Sequence, residues 1–570
     1  MNKFRLIALI LVAAITGCLA FGLLSRPSVE GADSLDFSAE RVAEDIAIIS
    51  LQNHSVAHPE ERARVREYLT TRLIEMGADT VKLFEHKGLT GPENKHVTYT
   101  FDATNILAEF APKHDAATPS LMFIAHYDSR YSQPMPKQDT VWSYGAADDG
   151  YGIGVALEAT SLALKYRDEW SQGIKILFTD AEEVGMKGMK ALWTEHREEF
   201  EDVGLVINIE ARGPYGPALL FETSPGNEKL MELYAATAEY PCTYSLTTVV
   251  YGFMPNFTDF TIIKDSIPGF NFSTIADINH YHTDKDNFSN INLGSIQHYG
   301  AQITPLIERY LTEEQYADKT SLVSSDDSVN FTLPLLGLFN FSKSTYWVIN
   351  ITLCALFILL LISEILRGRV QWRKMLLKAL YALLIAICGL ALGELIAYIS
   401  SAIAGATFHP FGIVQGIAGD NAIMATSMVV IICAVVALYL RKQRHIARQS
   451  SGSVRANAGA TAMMLNTNNT LYGVLVLLAL LSLLLLAAIG ENLMFLIPLT
   501  AATLSLILCR ITTLREWHLV GIALIVLHAL SFLYALTMAL TIGAFGAVVM
   551  LALLDLMVLI PLAEIYIRKA

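Results

Sequence analysis

Apolar and polar residues divide the chain into two unlike parts. Residues 4–24 form one long apolar stretch, and a mixed region continues to about residue 344. From residue 345 onward, apolar runs of membrane-spanning length follow one another. Because a helix needs about 20 apolar residues to cross about 30 Å of hydrocarbon, the pattern predicts a polar domain between an N-terminal apolar helix and a group of apolar helices.

Within the mixed region, short apolar runs alternate with segments that have the i, i+3, i+4 apolar spacing of helices. The predicted strands are 105–110, 121–125, 174–178, 205–209 and 270–273. The predicted helices are 37–52, 60–76, 152–166, 186–196, 227–238 and 293–311. This alternation is typical of an α/β fold, a mixed, mostly parallel sheet with helices on both faces.

The apolar runs predict eight membrane spans. They cover 4–24, 345–366, 375–400, 422–440, 471–489, 492–509, 518–540 and 544–567. The first is expected to be a retained anchor, because residues 19–24 remain apolar after a lipoprotein-like box that ends at Cys18. A cleaved signal is the alternative. The domains expected are an anchor and linker at 1–34, an α/β domain at 35–315, a linker at 316–344 and an all-α transmembrane bundle of seven helices at 345–570.

Positive charge orients these spans, since Lys and Arg accumulate on cytoplasmic connections. Basic residues follow the second, fourth, sixth and eighth spans: Arg367, Arg369, Arg373, Lys374, Arg441, Lys442, Arg444, Arg448, Arg455, Arg510, Arg515, Arg568 and Lys569. The connections 401–421, 490–491 and 541–543 contain neither Lys nor Arg. We therefore expect both termini in the cytoplasm and the polar domain on the other face, in a bacterial periplasm or an organelle lumen.

Composition agrees with a membrane protein. Hydrophobic residues make up 53% of the chain and charged residues 17%, and the net charge is -13. Nucleic acid is excluded as a partner, because phosphate binding needs a basic face that the polar region lacks. Five of the six cysteines lie in apolar runs and only Cys242 in the polar region, so no structural disulfide is expected.

Candidate metal ligands follow the predicted strands, where open α/β sheets place their ligands. His126 comes directly after 121–125, Glu182 and Glu183 come after 174–178, and Glu210 comes after 205–209. Asp148 lies in the small-residue run GAADDG, and His282 lies in INHYHTDKDN. Asp148 alone would equally be the N-cap of the following helix.

These residue types predict a metal centre. Imidazole with carboxylate suits zinc, with manganese and cobalt left open. Five ligands serve two ions if one carboxylate bridges, and an adjacent carboxylate is then free to act as a base. Asp128 is placed to hold the His126 ring by a supporting hydrogen bond, and Asp286 to support the turn after His282.

This ordered set resembles the dizinc aminopeptidase family of zinc exopeptidases, over about residues 38–311. The resemblance implies that two Zn²⁺ bind, one to His126 and Glu210, the other to Glu183 and His282. Asp148 would bridge them, and Glu182 would be the catalytic general base. The EARG and GPALLFETSPGN segments are similar to the membrane-bound branch that includes endoplasmic reticulum and vacuolar metallopeptidases. Many family members have Asp where this chain has Glu210, so the usual specificity is not assumed.

The sequence thus predicts a membrane-bound zinc metallopeptidase, an aminopeptidase-like exopeptidase that hydrolyses peptide substrates at a chain terminus and has the lipid bilayer as its environment. Arg130 and Arg212 would either hold a substrate carboxylate or form structural ion pairs. Two alternatives stay open. One is a single-zinc acyltransferase similar to glutaminyl cyclase, and the other is a non-catalytic assembly or binding subunit with an exopeptidase-like domain.

Overall fold

The structure, a computed structural model, describes residues 3–24, 26–91, 100–113, 119–132, 141–253, 256–451 and 456–568. Arg455 and Lys569 of the basic clusters lie outside the described residues. The chain forms two compact units. The polar unit comprises Leu24–Thr332 and Gly337–Lys343, and the apolar-helix unit comprises Met1–Leu23, Leu333–Leu336 and Ser344–Ala570.

Strands and helices alternate through the polar unit. The strands are β1 Thr80–Thr90, β2 Thr100–Phe110, β3 Ser120–His126, β4 Tyr131–Ser132, β5 Val141–Trp142, β6 Gly173–Thr179, β7 Val203–Ala211, β8 Tyr215–Thr223, β9 Gly269–Ala276, β10 Ser328–Leu333 and β11 Gly337–Ser342. The helices, numbered from α1 Lys3–Ala20 of the other unit, are α2 Ala39–Ile49, α3 Pro59–Glu75, α4 Gly150–Ala163, α5 Lys187–Glu195, α6 Glu228–Thr237, α7 Ser245–Gly252, α8 Phe260–Ile263 and α9 Leu293–Thr312.

Seven strands form one mixed sheet in the order β1-β2-β6-β3-β7-β9-β8. The four central strands, β6, β3, β7 and β9, run parallel to one another. The outer strands β1, β2 and β8 pair antiparallel with their neighbours. The carboxyl ends of the four central strands therefore meet at one edge of the sheet.

Apolar cores cover both faces of this sheet. Successive side chains of a strand point to opposite faces, so Leu121 and Phe123 of β3 join the core that includes α2, α4 and α9. Met122 and Ile124 join the second core, which includes α5 and α8. The mixed sheet with helices on both faces confirms the predicted fold class.

The predicted elements differ from the observed ones mainly at the sheet edges. Each of the five predicted strands lies within an observed one, and the six predicted helices match α2 to α6 and α9 within a few residues. The sequence pattern did not predict the strands β1 and β8 or the helices α7 and α8. The range 316–344, expected to be a linker, contains the paired strands β10 and β11.

Long apolar helices make up the other unit. They are α1, then α10 Lys343–Leu366, α11 Trp372–Ala404, α12 Asp420–Ser451, α13 Ala456–Ile489, α14 Leu493–Thr512, α15 Trp517–Leu540 and α16 Phe545–Ile567. Among the described residues, seven helical segments are long and apolar enough to cross a membrane. The last of these, Trp517–Ile567, is 51 residues long and contains both α15 and α16. The number of spans and their orientation stay predictions.

Candidate metal centre

The five candidate ligands come together at the carboxyl edge of the sheet. His126 is the last residue of β3, Glu183 lies in the loop after β6, and Glu210 is near the end of β7. His282 follows β9, and Asp148 precedes α4. They form two groups of three that share Asp148, and within each group the potential ligand atoms lie within 4.8 Å of one another.

The first group consists of His126, Asp148 and Glu210. Nε2 of His126 lies 3.2 Å from Oδ1 of Asp148 and 3.9 Å from Oε2 of Glu210. The other ring nitrogen, Nδ1, donates to the Asp128 carbonyl oxygen at 2.9 Å. That bond makes Nδ1 the donor to the backbone and leaves Nε2 as the ring nitrogen that faces the two carboxylates.

The second group consists of Asp148, Glu183 and His282. Nε2 of His282 lies 3.1 Å from Oε2 of Glu183 and 3.4 Å from Oδ2 of Asp148. The two oxygens of Asp148 thus face different histidines. A carboxylate in this position is able to bridge two cations, one in each group.

Asp128 supports the site in a different way from the one predicted. Its carboxylate lies 3.6 Å from His126 Nδ1, whereas its backbone carbonyl makes the shorter contact. The carboxylate oxygens instead accept the backbone N–H groups of Glu182 at 2.9 Å and Glu183 at 3.3 Å. Asp128 therefore fixes the loop that carries both glutamates.

Asp286 holds the loop that carries Asp148. Its carboxylate accepts Ala147 N at 2.7 Å, Asp148 N at 3.4 Å and the Ser143 hydroxyl at 2.9 Å. Burial raises the pKa of Asp286 to about 7, with the nearby Asp148 charge adding to the shift. Asp286 thus acts on Asp148 through the backbone.

Asp148 is not the N-cap of α4, because its neighbour Asp149 has that position. Asp149 caps α4, and its Oδ1 accepts Gly152 N at 3.0 Å. Its other oxygen accepts His126 N at 3.3 Å, which ties β3 to the start of α4. The side chain of Asp148 is left to face the two histidines.

Glu182 lies beside the two groups on a constrained loop. Ala181, which precedes Glu182, has a φ of 60°. On the loop after β9, the ligand candidate His282 has a similar φ of 58°. Non-glycine residues rarely adopt this left-handed backbone, which costs of the order of 1 kcal/mol and is often found at functional sites. Burial, and then the charges of Glu210, Asp259 and Glu183, raise the pKa of Glu182 well above its usual value, against the lowering effect of His126.

The cluster has the properties of a cation site. Burial raises the pKa of Glu210 to about 8, because several carboxylates share a poorly hydrated space. Although Nε2 of His282 lies 3.4 Å from Oδ2 of Asp148, neither of these buried atoms, nor Oε1 of Glu183, makes a hydrogen bond of suitable geometry with the described residues. Buried polar atoms normally have a partner, and carboxylate and imidazole are donors that zinc accepts. The residues therefore fit a metal ion in each group.

Arg130 and Arg212, the two residues that could hold a substrate carboxylate, differ in their contacts. Arg130 is an ion-pair partner of Glu183, and its Nη1 lies 3.1 Å from Oε2 and donates to the backbone carbonyl at 2.5 Å. The Arg212 guanidinium lies 5.9 Å from the centre of the Tyr281 ring. In the part of the chain that the structure describes, Arg212 has no carboxylate within 4.0 Å, so it is the freer of the two.

Several residues that hold the site in place were not predicted from the sequence. Asn208 donates to Oε1 of Glu210 at 3.0 Å, and the Tyr299 hydroxyl donates to the Glu210 carbonyl at 2.6 Å. Asp259 accepts the Thr179 hydroxyl at the end of β6. The alternation of β7 puts Asn208 on the same face as Glu210, which is a signal that could have identified it.

Comparison with known proteins identifies relatives that match this part of the chain. Endoplasmic reticulum metallopeptidase 1 of Mus musculus is 28% identical over 227 residues, which cover 39% of this chain and 24% of that protein. The vacuolar membrane protease of Candida dubliniensis is 27% identical over 243 residues, 41% of this chain and 24% of that protein. The chain thus spans about a quarter of the length of these relatives.

A solved Zn-dependent exopeptidase from Parabacteroides distasonis is 20% identical and aligns with 48% of this chain and 98% of its own, with a TM-score of 0.36. The family model described as Peptidase family M28 matches residues 105–307, a range that includes all six residues of the predicted catalytic and ligand set. The chain therefore carries a Peptidase family M28 domain.

Proposed function

We propose that this protein is a membrane-embedded exopeptidase that binds two zinc ions, with aminopeptidase activity as the expected type. One observation carries the proposal. The two oxygens of Asp148 face His126 on one side and His282 on the other, and each pair is completed by a further carboxylate, Glu210 or Glu183. Two three-residue groups that share one carboxylate suit two ions, whereas a single ion would leave one group unused.

The ligand assignment follows from these contacts. His126 and Glu210 would hold one ion, Glu183 and His282 the other, and Asp148 both. When bound, the zinc ions would lower the pKa of a water molecule and polarise the scissile carbonyl. Each group supplies three protein ligands, the number that leaves a position open for water or substrate at a catalytic zinc.

Glu182 is the proposed general base. Its backbone is fixed by Asp128, and its carboxylate shares a buried space with Glu210 and Asp259. Glu182 would accept a proton from the attacking water and pass it to the leaving amine. A carboxylate placed beside the two ligand groups is suited to this proton transfer.

Membrane embedding is supported by the exterior of the apolar-helix unit. Val430 of α12 is 62% exposed and Leu484 of α13 is 64% exposed, in helices whose sequences are apolar. Soluble proteins rarely expose apolar surface on this scale, so a lipid environment explains it. The predicted orientation, with the polar unit outside the cytoplasm, is part of the proposal.

Hydrolysis of reporter peptides by the full-length protein tests the proposal. Peptides with a free amino terminus and peptides with a free carboxyl terminus should separate the two kinds of exopeptidase. The Glu182→Gln variant keeps the shape of the side chain but accepts no proton. We expect it to lose about 10²- to 10⁴-fold in turnover while zinc content stays at two per chain.

Glu239→Gln, an exposed glutamate of the same unit, is the matched control and should behave like the wild type. One zinc per chain with cyclisation of an amino-terminal glutamine would favour the acyltransferase alternative. Bound zinc with no turnover of any peptide by the wild-type chain would favour the binding-subunit alternative. Unchanged turnover of Glu182→Gln would show that Glu182 is not the general base.

A further inference from the structure

A cavity of about 250 Å³ lies within the apolar-helix unit, among helices α11, α12, α13 and α16. Two lysines line it, Lys378 from α11 and Lys442 from α12. Tyr439, Gln443 and Asn466 supply polar groups to the same wall. All the lining residues belong to this unit, so the cavity is independent of the proposed metal centre.

The two lysines give the cavity an uncompensated positive charge. Nζ of Lys378 donates to Oδ1 of Asn466 at 2.8 Å, and Nζ of Lys442 lies 5.8 Å from the centre of the Tyr381 ring. Over the described side chains, no carboxylate oxygen lies within 4.0 Å of either ammonium group. Charged side chains in membrane helices are normally paired, so an anionic ligand would complete this site.

Glu564, the carboxylate that bonds to two of the cavity-lining residues, already has a cationic partner. Tyr439 and Gln443 donate to Oε2 of Glu564, at 2.6 and 2.9 Å. Glu564 also forms an ion pair with Arg568 of its own helix. Glu564 therefore holds the polar wall in place and does not cancel the charge of the lysines.

The remainder of the cavity is apolar and opens to the outside of the helix bundle. Ile385 and Leu438 line it and are 40% and 65% exposed. Its volume is just below the 300–1,000 Å³ that is typical of pockets for drug-sized ligands. The space suits a small anionic headgroup whose hydrocarbon chains lie along the exposed apolar surface.

We propose that this cavity binds the phosphate headgroup of an anionic phospholipid. The phosphate would lie between Lys378 and Lys442, and an acyl chain would lie against Ile385 and Leu438. The lysines are close in sequence to Arg373, Lys374 and Arg441, which the charge pattern puts on the cytoplasmic side. Basic pockets between membrane helices on that side are suited to anionic headgroups. The proposal rests on membrane embedding and not on peptidase activity.

Binding of an acyl-labelled phosphatidylglycerol to the purified full-length protein in neutral detergent is the test. The wild type should bind this lipid at least about tenfold more tightly than labelled phosphatidylcholine. Lys378→Gln and Lys442→Gln should each weaken binding about fivefold, which corresponds to about 1 kcal/mol for each lysine near an anionic headgroup. Lys442→Arg keeps the charge and should retain most of the affinity.

Lys374→Gln is the matched control, because Lys374 is an exposed lysine one helical turn before Lys378 on α11 and does not line the cavity. Gel filtration and the melting temperature of each variant check that the fold is kept. Equal binding of both lipids, or equal weakening by Lys374→Gln, would overturn the proposal. Displacement of the labelled lipid by inorganic phosphate as effectively as by unlabelled phosphatidylglycerol would show a free-phosphate site instead.

Discussion

At the scale of single residues, Asp128 shows how a side chain that binds no substrate can control the site. Its carboxylate accepts the N–H groups of both Glu182 and Glu183. In Asp128→Asn the amide nitrogen would face one of these donors and break a hydrogen bond. We expect turnover to fall about 10- to 100-fold, as is usual for groups that orient metal ligands.

Measurement of kcat beside zinc content checks this prediction. A positioning role requires that Asp128→Asn lower both kcat and zinc affinity, since Glu183 is a proposed ligand and Glu182 the proposed base. Asp326→Asn changes an exposed aspartate of the same unit and should have no effect. Full activity of Asp128→Asn would show that the loop keeps its position without the carboxylate.

His298 predicts a pH dependence of stability that is separate from the metal centre. It is buried in α9, where Nδ1 accepts Ala218 N at 2.8 Å and Nε2 donates to the Tyr240 carbonyl at 2.8 Å. Burial lowers the pKa of His298 to about 4. In the unfolded chain the imidazole has a pKa of about 6.5, so between these values the unfolded state binds the extra proton.

Stability should therefore fall as the pH decreases from about 6.5 to about 4. The difference of about 2.5 pKa units sets an upper limit of about 3 kcal/mol for this residue. Melting temperatures of the full-length protein across this range check the prediction. His298→Gln can make both hydrogen bonds without titrating, and it should reduce the slope. An unchanged slope would assign the acid sensitivity to other groups.

The sequence could predict which residues approach one another at the site, but not how they are supported. Consecutive strands of a parallel sheet end at one edge, so His126, Glu183 and Glu210 were expected to lie together, and they do. The bonds from Asn208 to Glu210 and from the Asp128 carboxylate to two N–H groups depend on rotamers and loop geometry. No spacing rule contains that information.

At the scale of elements, α11 and α16 approach too closely at Gly393 for a side chain to fit there. A Cβ atom on Gly393 would lie 2.6 Å from the Gly546 Cα, a backbone atom that cannot rotate away. Gly393→Ala should therefore reduce the free energy of unfolding by about 1–3 kcal/mol, the usual cost of overpacking. The melting temperature of the full-length protein in detergent measures this loss.

Gly17→Ala in α1 is the matched control for Gly393→Ala. A Cβ there would meet Leu530 Cδ1 at 3.6 Å, an ordinary contact. Alanine is intrinsically better than glycine in a helix by about 1 kcal/mol, so Gly17→Ala should be neutral or stabilising. A melting temperature of Gly393→Ala equal to that of Gly17→Ala would contradict close packing of α11 on α16.

Buried strands with mostly apolar sequences could be predicted, whereas edge strands could not. β3 and β6 are buried on both faces, so their mostly apolar runs stood out, although β6 contains Lys175. β1 is an edge strand whose exposed and half-buried residues include Lys82, Glu85 and Lys87, and these interrupt any apolar pattern. Edge strands commonly have such charges, which prevent pairing with other chains. The same feature conceals them in the sequence.

At the scale of the whole molecule, the charge pattern of the connections predicts which parts face outward. The six cysteines of the chain are free, so replacing them should leave no disulfide missing. With the chain expressed in the inner membrane of a bacterium, single cysteines at Asp326 of the polar unit and Thr407 of the connection after α11 should then react with a membrane-impermeant maleimide on intact cells. A cysteine at Arg367, after α10, should react only once the membrane is permeabilised.

The three positions test the topology against its alternatives. All three are exposed in the structure, so a lack of labelling reports the membrane and not burial in the protein. An odd number of spans between Thr407 and Arg367 would put them on opposite sides, as α11 requires if it crosses the bilayer. Labelling of Thr407 and Arg367 from the same side would mean that α11 does not cross. Labelling of the cysteine at position 367 alone would show the opposite orientation, with the proposed peptidase site in the cytoplasm. The positive-inside rule would then have failed for this chain.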